Sequence, residues 1–469
     1  MTPDCISRQL EFQGVGRRNV VASFDGGTLT SDGGLLLLGE VERRRGIVGQ
    51  FADCFTDHRD PVFVEHSVKE LAGQRLFGLA LGYEDLNDHD ELRTDPLLAT
   101  VVGKADPTGR DRRQAQDRGK PLAGKSTLNR LENGAQIQDR YRKIAIDPEA
   151  VDRLLVKLFV SAHRRAPRQI ILDLDATDDP VHGQQEGRFF HGYYGNYCYL
   201  PLYIFCGSHL LCARLRSANI DASAGVREEV GRIVGQIRQH WPRVRIVLRG
   251  DSGFAREELM AWCEDHAVDY VFGLARNQRL QRALGAKLEQ ARRRFVKTGQ
   301  PARFYKDLLY STRKSWSRRR RVIGKAEHLA KGRNPRFVVT SLPRKQLAAA
   351  PLYEQLYCAR GEMENRIKEQ QLYLFADRTS AHWMRVNQVR LYLSSFAYIL
   401  LNELRRLGLQ GTALARARCD TIRNKLLKIG AQIRVTVRRV CVCLASSYPY
   451  ADLFTQVTRQ LQDARGRPG

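Results

Sequence analysis

Two apolar segments that each end on an aspartate constrain the fold of this chain more than any other feature. Residues 169–175 read Gln-Ile-Ile-Leu-Asp-Leu-Asp, and residues 245–251 read Arg-Ile-Val-Leu-Arg-Gly-Asp. A short apolar run bounded by turn signals is typical of a buried strand. We therefore predict two core strands, one ending on Asp175 and the other on Asp251.

The segments around these strands predict an α/β fold with a ribonuclease-H-like catalytic core. The periodicity reads strand, strand, strand, helix, strand, helix and strand, over residues 169–175, 197–206, 210–216, 226–241, 245–251, 256–266 and 269–274. This is the element order of the ribonuclease-H-like core. The first and fourth strands are neighbours in that fold, so we expect Asp175 and Asp251 to converge.

The rest of the chain divides into regions on either side of this core. We predict a mostly helical N-terminal DNA-binding region, the first part of the core, a basic insertion containing strands, the helices that complete the core, and a basic C-terminal region, over residues 1–165, 166–275, 276–350, 351–407 and 408–469. Residues 126–134 predict a short helix capped by Ser126 and ended by Gly134. That helix is either part of a helix-turn-helix reader of DNA or a packing helix beside a solvated basic loop.

The charge of the chain indicates a polyanionic partner. It has 77 lysines and arginines against 51 acidic residues, a net charge of +26. Neutralised phosphates release counterions, so DNA is the expected partner. No apolar run approaches the ~20 residues of a membrane span, so no membrane partner is expected. The first 14 residues lack a secretion signal, which favours a cytoplasmic protein.

The positive charge is concentrated in the predicted insertion. Residues 287–336 contain 17 basic and 3 acidic residues, a net charge of 17 − 3 = +14. Its densest run is formed by Arg318, Arg319, Arg320 and Arg321. Such a run is either a solvated face or a DNA contact. Its position inside an enzyme-like core favours DNA contact.

The cysteines do not indicate a metal or disulfide framework. There are ten, and none forms a Cys-x-x-Cys pair. Cys198, Cys206 and Cys212 lie in apolar segments, which predicts buried free thiols.

The strand-end acids suggest phosphodiester chemistry. Two metal ions ~3.5–4 Å apart stabilise the attacking and leaving oxygens on one phosphorus, and carboxylates are the hard ligands that Mg²⁺ prefers. Asp173 is an alternative to Asp175, because side chains two residues apart share a strand face. A single strand-end acid can also be a helix or turn cap.

Three motifs resemble those of the DDE transposases of bacterial insertion sequences. They are Asp175-Ala-Thr177 with His182-Gly183 downstream, Arg249-Gly-Asp251-Ser-Gly-Phe254, and Tyr357-x-x-Arg360-x-x-x-Glu364. More narrowly, they resemble the cut-and-paste branch that carries an insertion between the second aspartate and the glutamate. Residues 30–34, 81–86 and 127–133 also resemble segments of the insertion-sequence family called thirteen-eighty.

The resemblance implies a site and a reaction. Asp175, Asp251 and Glu364 would be catalytic ligands of Mg²⁺, with Mn²⁺ as a substitute. Tyr357 and Arg360 would contact DNA phosphates. The enzyme, as a homodimer on the DNA, would release the 3′ ends of its element and join them to target DNA. In a bacterium it would be associated with the nucleoid when bound to DNA.

Two details of the resemblance concern single residues. The related pattern has a lysine seven residues after the glutamate, where this chain has Gln371, and the nearest lysine is Lys368. Related enzymes pass through a DNA hairpin and stack a flipped base on an aromatic residue of the insertion. Trp316 is the candidate for that role, and core packing is its alternative.

The choice of glutamate rests on helical geometry. On a regular α-helix of ~100° per residue, Tyr357, Arg360 and Glu364 fall within about 60° of one another. Glu362 would point away, and Glu354 and Glu369 are the other acids nearby. Two other functions share part of these features: a ribonuclease-H-like nuclease without strand transfer, and a non-catalytic DNA-binding protein.

Overall fold

The computed structural model describes residues 9–134 and 143–463 and divides the chain into two compact units. Unit 1 contains Met1–Ile146 and Phe396–Pro468, and unit 2 contains Asp147–Ser395. The helix Pro148–Ser161 therefore lies in unit 2, ahead of the boundary predicted at residue 165. The physical reason is that its apolar face, including Phe159, packs into the main core of unit 2.

Unit 2 is built on a large mixed sheet, so the predicted mixed α/β character is confirmed. We number its strands and helices in chain order. The strands are β1 Gln169–Ala176, β2 Asp179–Pro180, β3 Phe189–His191, β4 Asn196–Tyr199, β5 Leu202–Cys206, β6 His209–Arg214, β7 Arg245–Gly250, β8 Asp269–Leu274, β9 Ala302–Tyr310, β10 Arg320–Leu329, β11 Gly332–Arg333 and β12 Arg336–Thr340. The helices are α1 Pro148–Ser161, α2 Val226–His240, α3 Glu257–Asp265, α4 Gln278–Thr298, α5 Gly361–Leu374 and α6 Met384–Gly408, of which α6 continues into unit 1.

Eight strands of the main sheet run in the order β6-β5-β1-β7-β8-β12-β10-β9, and β11 pairs with β10. Strand β7 is parallel to both β1 and β8, whereas the other pairs are antiparallel. The first and fourth core strands, β1 and β7, are therefore adjacent, as predicted. The strands of residues 276–350 do not form a separate sheet, because β12 pairs directly with β8 and carries β10 and β9 after it.

Apolar faces of the helices explain how this sheet is covered. Helix α2 buries Val230, Ile233 and Ile237, spaced three and four residues apart, against the sheet. Helix α4 of the basic region buries Leu280, Leu284 and Leu288 in the same core. Fully burying one such side chain contributes roughly 1.5–3 kcal/mol, so these faces fix the helices to the sheet.

A second, small sheet lies between β1 and β5 along the chain. It has the order β2-β4-β3, in which β3 and β4 form an antiparallel hairpin. Tyr199, at the end of β4, donates a 2.6 Å hydrogen bond to the carbonyl of Glu186. The predicted strand 197–206 is thus two strands separated by a short break, with Cys198 fully buried.

Unit 1 is mostly helical. Its helices are Leu35–Arg45, Ile47–Ala52, Val68–Leu81, Asp88–Leu92, Pro96–Val102, Lys125–Glu132, Cys419–Ile422 and Ala451–Asp463, together with the later part of α6. Its strands are Leu10–Val15, Arg18–Ala22, Leu29–Thr30, Phe55–Asp57, Ile144–Ile146, Ala431–Val435 and Val440–Leu444. The helix predicted over 126–134 begins at Lys125, after Gly124, so the prediction of Ser126 as its cap is wrong. Within the described residues, no helix is long and apolar enough to cross a membrane.

The turn at residues 31–34 joins distant parts of unit 1. Gly34 packs so closely against the C-terminal segment that a Cβ there would lie 1.8 Å from the carbonyl oxygen of Leu426. The side chain of Asp32 accepts a 2.7 Å hydrogen bond from Tyr83 and pairs with Lys428 at 2.7 Å. Glycine at position 34 is therefore a steric requirement of the packing.

Candidate active site

The two aspartates lie at the carboxyl ends of adjacent parallel strands, Asp175 within the last residues of β1 and Asp251 directly after β7. The register of β1 and β7 pairs Leu174 with Gly250, so the next residues, Asp175 and Asp251, follow at the same sheet edge. Asp251 accepts a 2.8 Å hydrogen bond from the backbone N–H of Gly253, which holds the turn after β7. The carboxyl ends of neighbouring parallel strands are where α/β sheets place ligands.

Arg360 joins the third predicted carboxylate to this edge. One guanidinium nitrogen lies 3.5 Å from Asp175 Oδ1, and the other lies 2.9 Å from Glu364 Oε1. Arg360 keeps 20% of its side chain exposed and Glu364 keeps 43%, whereas Asp175 keeps only 17%. The guanidinium thus bridges two carboxylates and remains accessible.

The pKa of Asp175 also indicates that the other two carboxylates lie nearby. Burial raises the pKa of Asp175 to about 7; the positive charge of Arg360 lowers it, and the negative charges of Asp251 and Glu364 raise it. A carboxylate held among like charges is stabilised by any cation placed between them. The carboxylates of Asp251 and Glu364 therefore both lie close enough to act on Asp175.

Tyr357 lies at the same place. Burial raises the pKa of its hydroxyl, which also experiences the charges of Arg360 and Asp251. The hydroxyl oxygen lies 2.7 Å from where a Cβ on Gly273 would stand. Glycine in β8 therefore makes room for the Tyr357 hydroxyl beside the carboxylates.

Asp173, the alternative ligand, is engaged elsewhere. Its oxygens accept hydrogen bonds from Arg249 at 2.5 and 2.8 Å, and both side chains are buried. Arg249 also donates to the carbonyl of Leu356 at 2.5 Å. The pair therefore fixes β1 to β7 and to the segment that carries Tyr357, which is a positioning contact.

The segment leading into α5 is not the regular α-helix assumed from the sequence. Residues Leu352–Tyr357 form a π turn and Cys358–Arg360 a 3₁₀ turn before α5 begins at Gly361. The angular argument from ~100° per residue is therefore wrong between Tyr357 and Arg360. Arg360 and Glu364 still meet, because they are four residues apart across the start of α5.

The other glutamates of this segment have different surroundings. Glu354 accepts a 2.7 Å hydrogen bond from Tyr305, and Glu369 is buried and paired with Arg366 at 2.7 Å. Glu362 is exposed. This leaves Glu364 as the one of the four that shares a partner with Asp175.

At position 371, where the related pattern has a lysine, the glutamine side chain contacts the segment that follows β1. Gln371 donates a 3.2 Å hydrogen bond to the carbonyl of Asp178, three residues after Asp175. Lys368 is exposed on α5. The two side chains therefore differ in role, since only Gln371 touches the residues after β1.

The arginine run of the basic region is only partly a surface. Arg320 is 2% exposed and pairs with Glu257 at 2.5 Å and Glu264 at 2.6 Å, both on α3. Its burial removes it from the predicted DNA-contacting set. Arg321 is also largely buried, paired with Asp307 at 2.7 Å, so it leaves the set as well. A charge count cannot distinguish these two from their exposed neighbours.

Arg318, Arg319 and Trp316 behave differently from one another. Arg318 and Arg319 are exposed, and Arg318 lies 3.3 Å from Glu264. Trp316 is half-buried against the main core, with its ring centroid 5.7 Å from that of Tyr310. Part of the Trp316 ring therefore packs against the core, which agrees with the alternative hypothesis for this residue.

The donor set fits divalent metal. Asp175, Asp251 and Glu364 supply hard carboxylate oxygens, and the pKa of Asp175 responds to the charges of the other two. In residues 9–134 and 143–463 no three Asp, Glu, His or Cys side chains are already arranged as a metal cluster. Arg360 stands between two of the carboxylates instead, so a positive charge already occupies this position.

One neighbour of the carboxylates was not predicted from the sequence. Tyr194, at the tip of the β3–β4 hairpin, donates a 3.2 Å hydrogen bond to the carbonyl of Ala176. Burial raises the pKa of Tyr194, and the charges of Asp178, Asp175 and Asp251 raise it further. The glycine- and aromatic-rich run over 187–197 is the signal that could have identified it.

Comparison with known proteins agrees with these motifs. A family model described as transposase DDE domain, group 1, matches residues 12–466. Among solved structures, the chain is similar to piggyBac transposase in a cryo-EM synaptic complex with hairpin DNA, at 10% identity over 94% of this chain and 83% of that chain, with a TM-score of 0.40. That likeness is too distant to carry an argument, and no curated protein sequence matches significantly. Because the family model spans nearly the whole chain, the protein belongs to the DDE transposases of group 1.

Proposed function

We propose that this transposase cleaves the ends of a bacterial insertion sequence of the thirteen-eighty family and joins the 3′ ends to target DNA. The observation that carries the proposal is the bridge from Arg360 to both Asp175 and Glu364, beside Asp251. Residues far apart in the sequence thereby meet at one sheet edge. The strand order of β6, β5, β1, β7 and β8 supports a ribonuclease-H-like core for this site.

Asp175, Asp251 and Glu364 would hold two divalent ions, Mg²⁺ or Mn²⁺, which when bound activate the attacking oxygen and stabilise the leaving oxygen. The remaining chemistry belongs to neighbouring side chains. Arg360 presents an accessible guanidinium, whose planar donors suit a phosphate. The Tyr357 hydroxyl lies beside the same carboxylates and can donate to a second phosphate oxygen.

DNA is the proposed substrate and partner. The net charge of +26 supports it, as do exposed arginines such as Arg318 and Arg319 in the basic region. We also propose a homodimer on the DNA, and in a bacterial host the reaction would take place on nucleoid DNA.

The test is a transposition assay with the full chain. The donor plasmid carries the coding sequence with its flanking genomic DNA, and a second plasmid is the target. With Mg²⁺, the wild type should produce excised donor and sequenced target junctions. Asp175→Asn, Asp251→Asn and Glu364→Gln should each eliminate both products while DNA binding remains.

The matched control is Glu362→Gln, which makes the same change two residues away on an exposed position of α5. It should transpose like the wild type. Excision without any joined target would instead favour a nuclease without strand transfer. Binding without metal-dependent cleavage by the wild type would favour a non-catalytic DNA-binding protein.

A further inference from the structure

The β3–β4 hairpin exposes more aromatic surface than folding requires. The relative exposures are 86% for Tyr193, 56% for Phe190, 48% for Tyr197 and 42% for Phe189. Single exposed apolar side chains are ordinary, whereas four exposed aromatic rings within nine residues are an unusual concentration of apolar surface. We call residues Arg188–Tyr197 the aromatic hairpin.

One face of the aromatic hairpin combines rings with a guanidinium. Phe190 and Tyr197 are paired across the strands, with ring centroids 5.6 Å apart. The guanidinium carbon of Arg188 lies 4.4 Å from the Tyr197 ring centroid. Aromatic faces and arginine planes are the groups on which proteins stack unpaired nucleobases. This face therefore has the chemistry of a base-stacking platform.

The tip of the aromatic hairpin is attached to the catalytic edge. Tyr194 donates to the carbonyl of Ala176, the residue after Asp175, at 3.2 Å. Asn196 donates to Asp178 Oδ2 at 3.2 Å. Gly195, with φ of +72°, closes the turn, and open space surrounds it. The exposed ring of Tyr193 lies 5.0 Å from the ring of Tyr194, which contacts the residue after Asp175.

We propose that the aromatic hairpin binds an unpaired nucleobase of the DNA strand next to the phosphate at the active site. The inference rests on the proposed function and deepens it, because it names the part of the substrate that this surface takes. A nucleobase is favoured over a protein segment because Arg188 adds positive charge to the rings. A protein bound here would also stand near the end of β1, which the DNA must reach. Trp316 is a weaker platform, because part of its ring packs against the core.

The first test compares two DNA probes by fluorescence anisotropy without divalent metal. One is a blunt duplex, and the other is the same duplex with a five-nucleotide single-stranded 5′ overhang. The wild type should bind the overhang probe more tightly. Tyr193→Ala and Tyr197→Ala should each weaken binding of the overhang probe about tenfold and leave the blunt duplex unchanged.

Matched variants separate stacking from other effects. Tyr193→Phe and Tyr197→Phe keep the rings and should keep the preference for the overhang. Tyr193→Leu keeps an apolar side chain without a ring and should lose it. Phe24→Ala removes a ring that is 96% exposed in unit 1 and should change neither probe.

A crosslinking experiment locates the base directly. The overhang carries 5-iododeoxyuridine, and irradiated complexes are digested and analysed by mass spectrometry. Crosslinks to peptides that contain residues 188–197 would support the inference, and crosslinks confined to other peptides would overturn it.

Two further outcomes distinguish the ways in which the inference can fail. Equal weakening of both probes, or loss of self-association of Tyr193→Ala in sedimentation without DNA, would overturn the inference and leave the proposed function standing. A wild type that binds neither probe would overturn the inference and the proposed function together.

Discussion

Arg320 offers the sharpest test of how the basic region is built. Its guanidinium is 2% exposed and contacts the carboxylates of Glu257 and Glu264, which are 25% and 15% exposed. Breaking a buried ion pair costs about 3–5 kcal/mol, because the remaining charge is left unpaired. Since both glutamates can recover some hydration, we expect Arg320→Ala to lower the free energy of unfolding by about 2–3 kcal/mol.

The assay measures stability and DNA affinity on the same variants. Thermal and urea unfolding, followed by circular dichroism, should show the loss for Arg320→Ala and almost no change for Arg319→Ala, which removes an exposed side chain. The salt dependence of DNA binding should show the reverse. Arg319→Ala should reduce the slope of log K against log salt by about 0.9 if it contacts one phosphate.

The reasoning would be refuted by a stable Arg320→Ala protein whose salt slope has fallen. That result would mean that the guanidinium leaves Glu257 and Glu264 for DNA. Arg320→Lys is a useful intermediate, since a single ammonium cannot contact both carboxylates with the geometry of a guanidinium. It should lose stability, but less than Arg320→Ala.

Three other predictions follow from the structure. Asp173→Asn should lower both the stability and the activity, because Arg249 loses its charged partner. Asp175→Asn should instead abolish activity without loss of stability. Unfolding and transposition assays distinguish the two outcomes. Burial raises the pKa of Asp175 to about 7, so without metal the ionisation of this carboxyl opposes folding. The free energy of unfolding should therefore fall as the pH rises from about 4 to 7. Asp175→Asn should flatten that pH profile in thermal unfolding. A Cβ on Gly34 would lie 1.8 Å from a carbonyl oxygen, so Gly34→Ala should unfold part of unit 1. The control is Gly235→Ala, at an open position on a helix. In urea unfolding it should be neutral or stabilising by up to about 1 kcal/mol.

The strand-end aspartates were predictable because the signals that define them are local. The run over 169–175 has the period and composition of a buried strand, and its last residue is Asp175. Helix α2 was equally clear, because Val230, Ile233 and Ile237 recur at helical spacing. The pairing of β1 with β7 followed from the order of elements, since few arrangements of that order bury every apolar face.

Features that depend on distant partners could not be predicted in the same way. The run Arg318–Arg321 shows its charge in the sequence, but Glu257 and Glu264 lie about 60 residues earlier and give no sign of the pairing. The π and 3₁₀ turns before Gly361 could not be predicted either, because helix propensity does not distinguish them from an α-helix. The interpretation of residues 276–350 as an insertion missed that β12 continues the core sheet, since strand propensity does not specify a partner.

The continuity of the main sheet has a consequence for attempts to make a minimal enzyme. Strand β12 pairs with the backbone of β8 over Val271–Leu274, of which Val271, Phe272 and Gly273 are buried. Deleting residues 276–350 would uncover an apolar sheet edge with unpaired N–H and C=O groups, which is a template for intermolecular pairing. The truncated protein should therefore aggregate. A smaller version of this transposase would have to keep β12, β10 and β9 and shorten only the connections between strands.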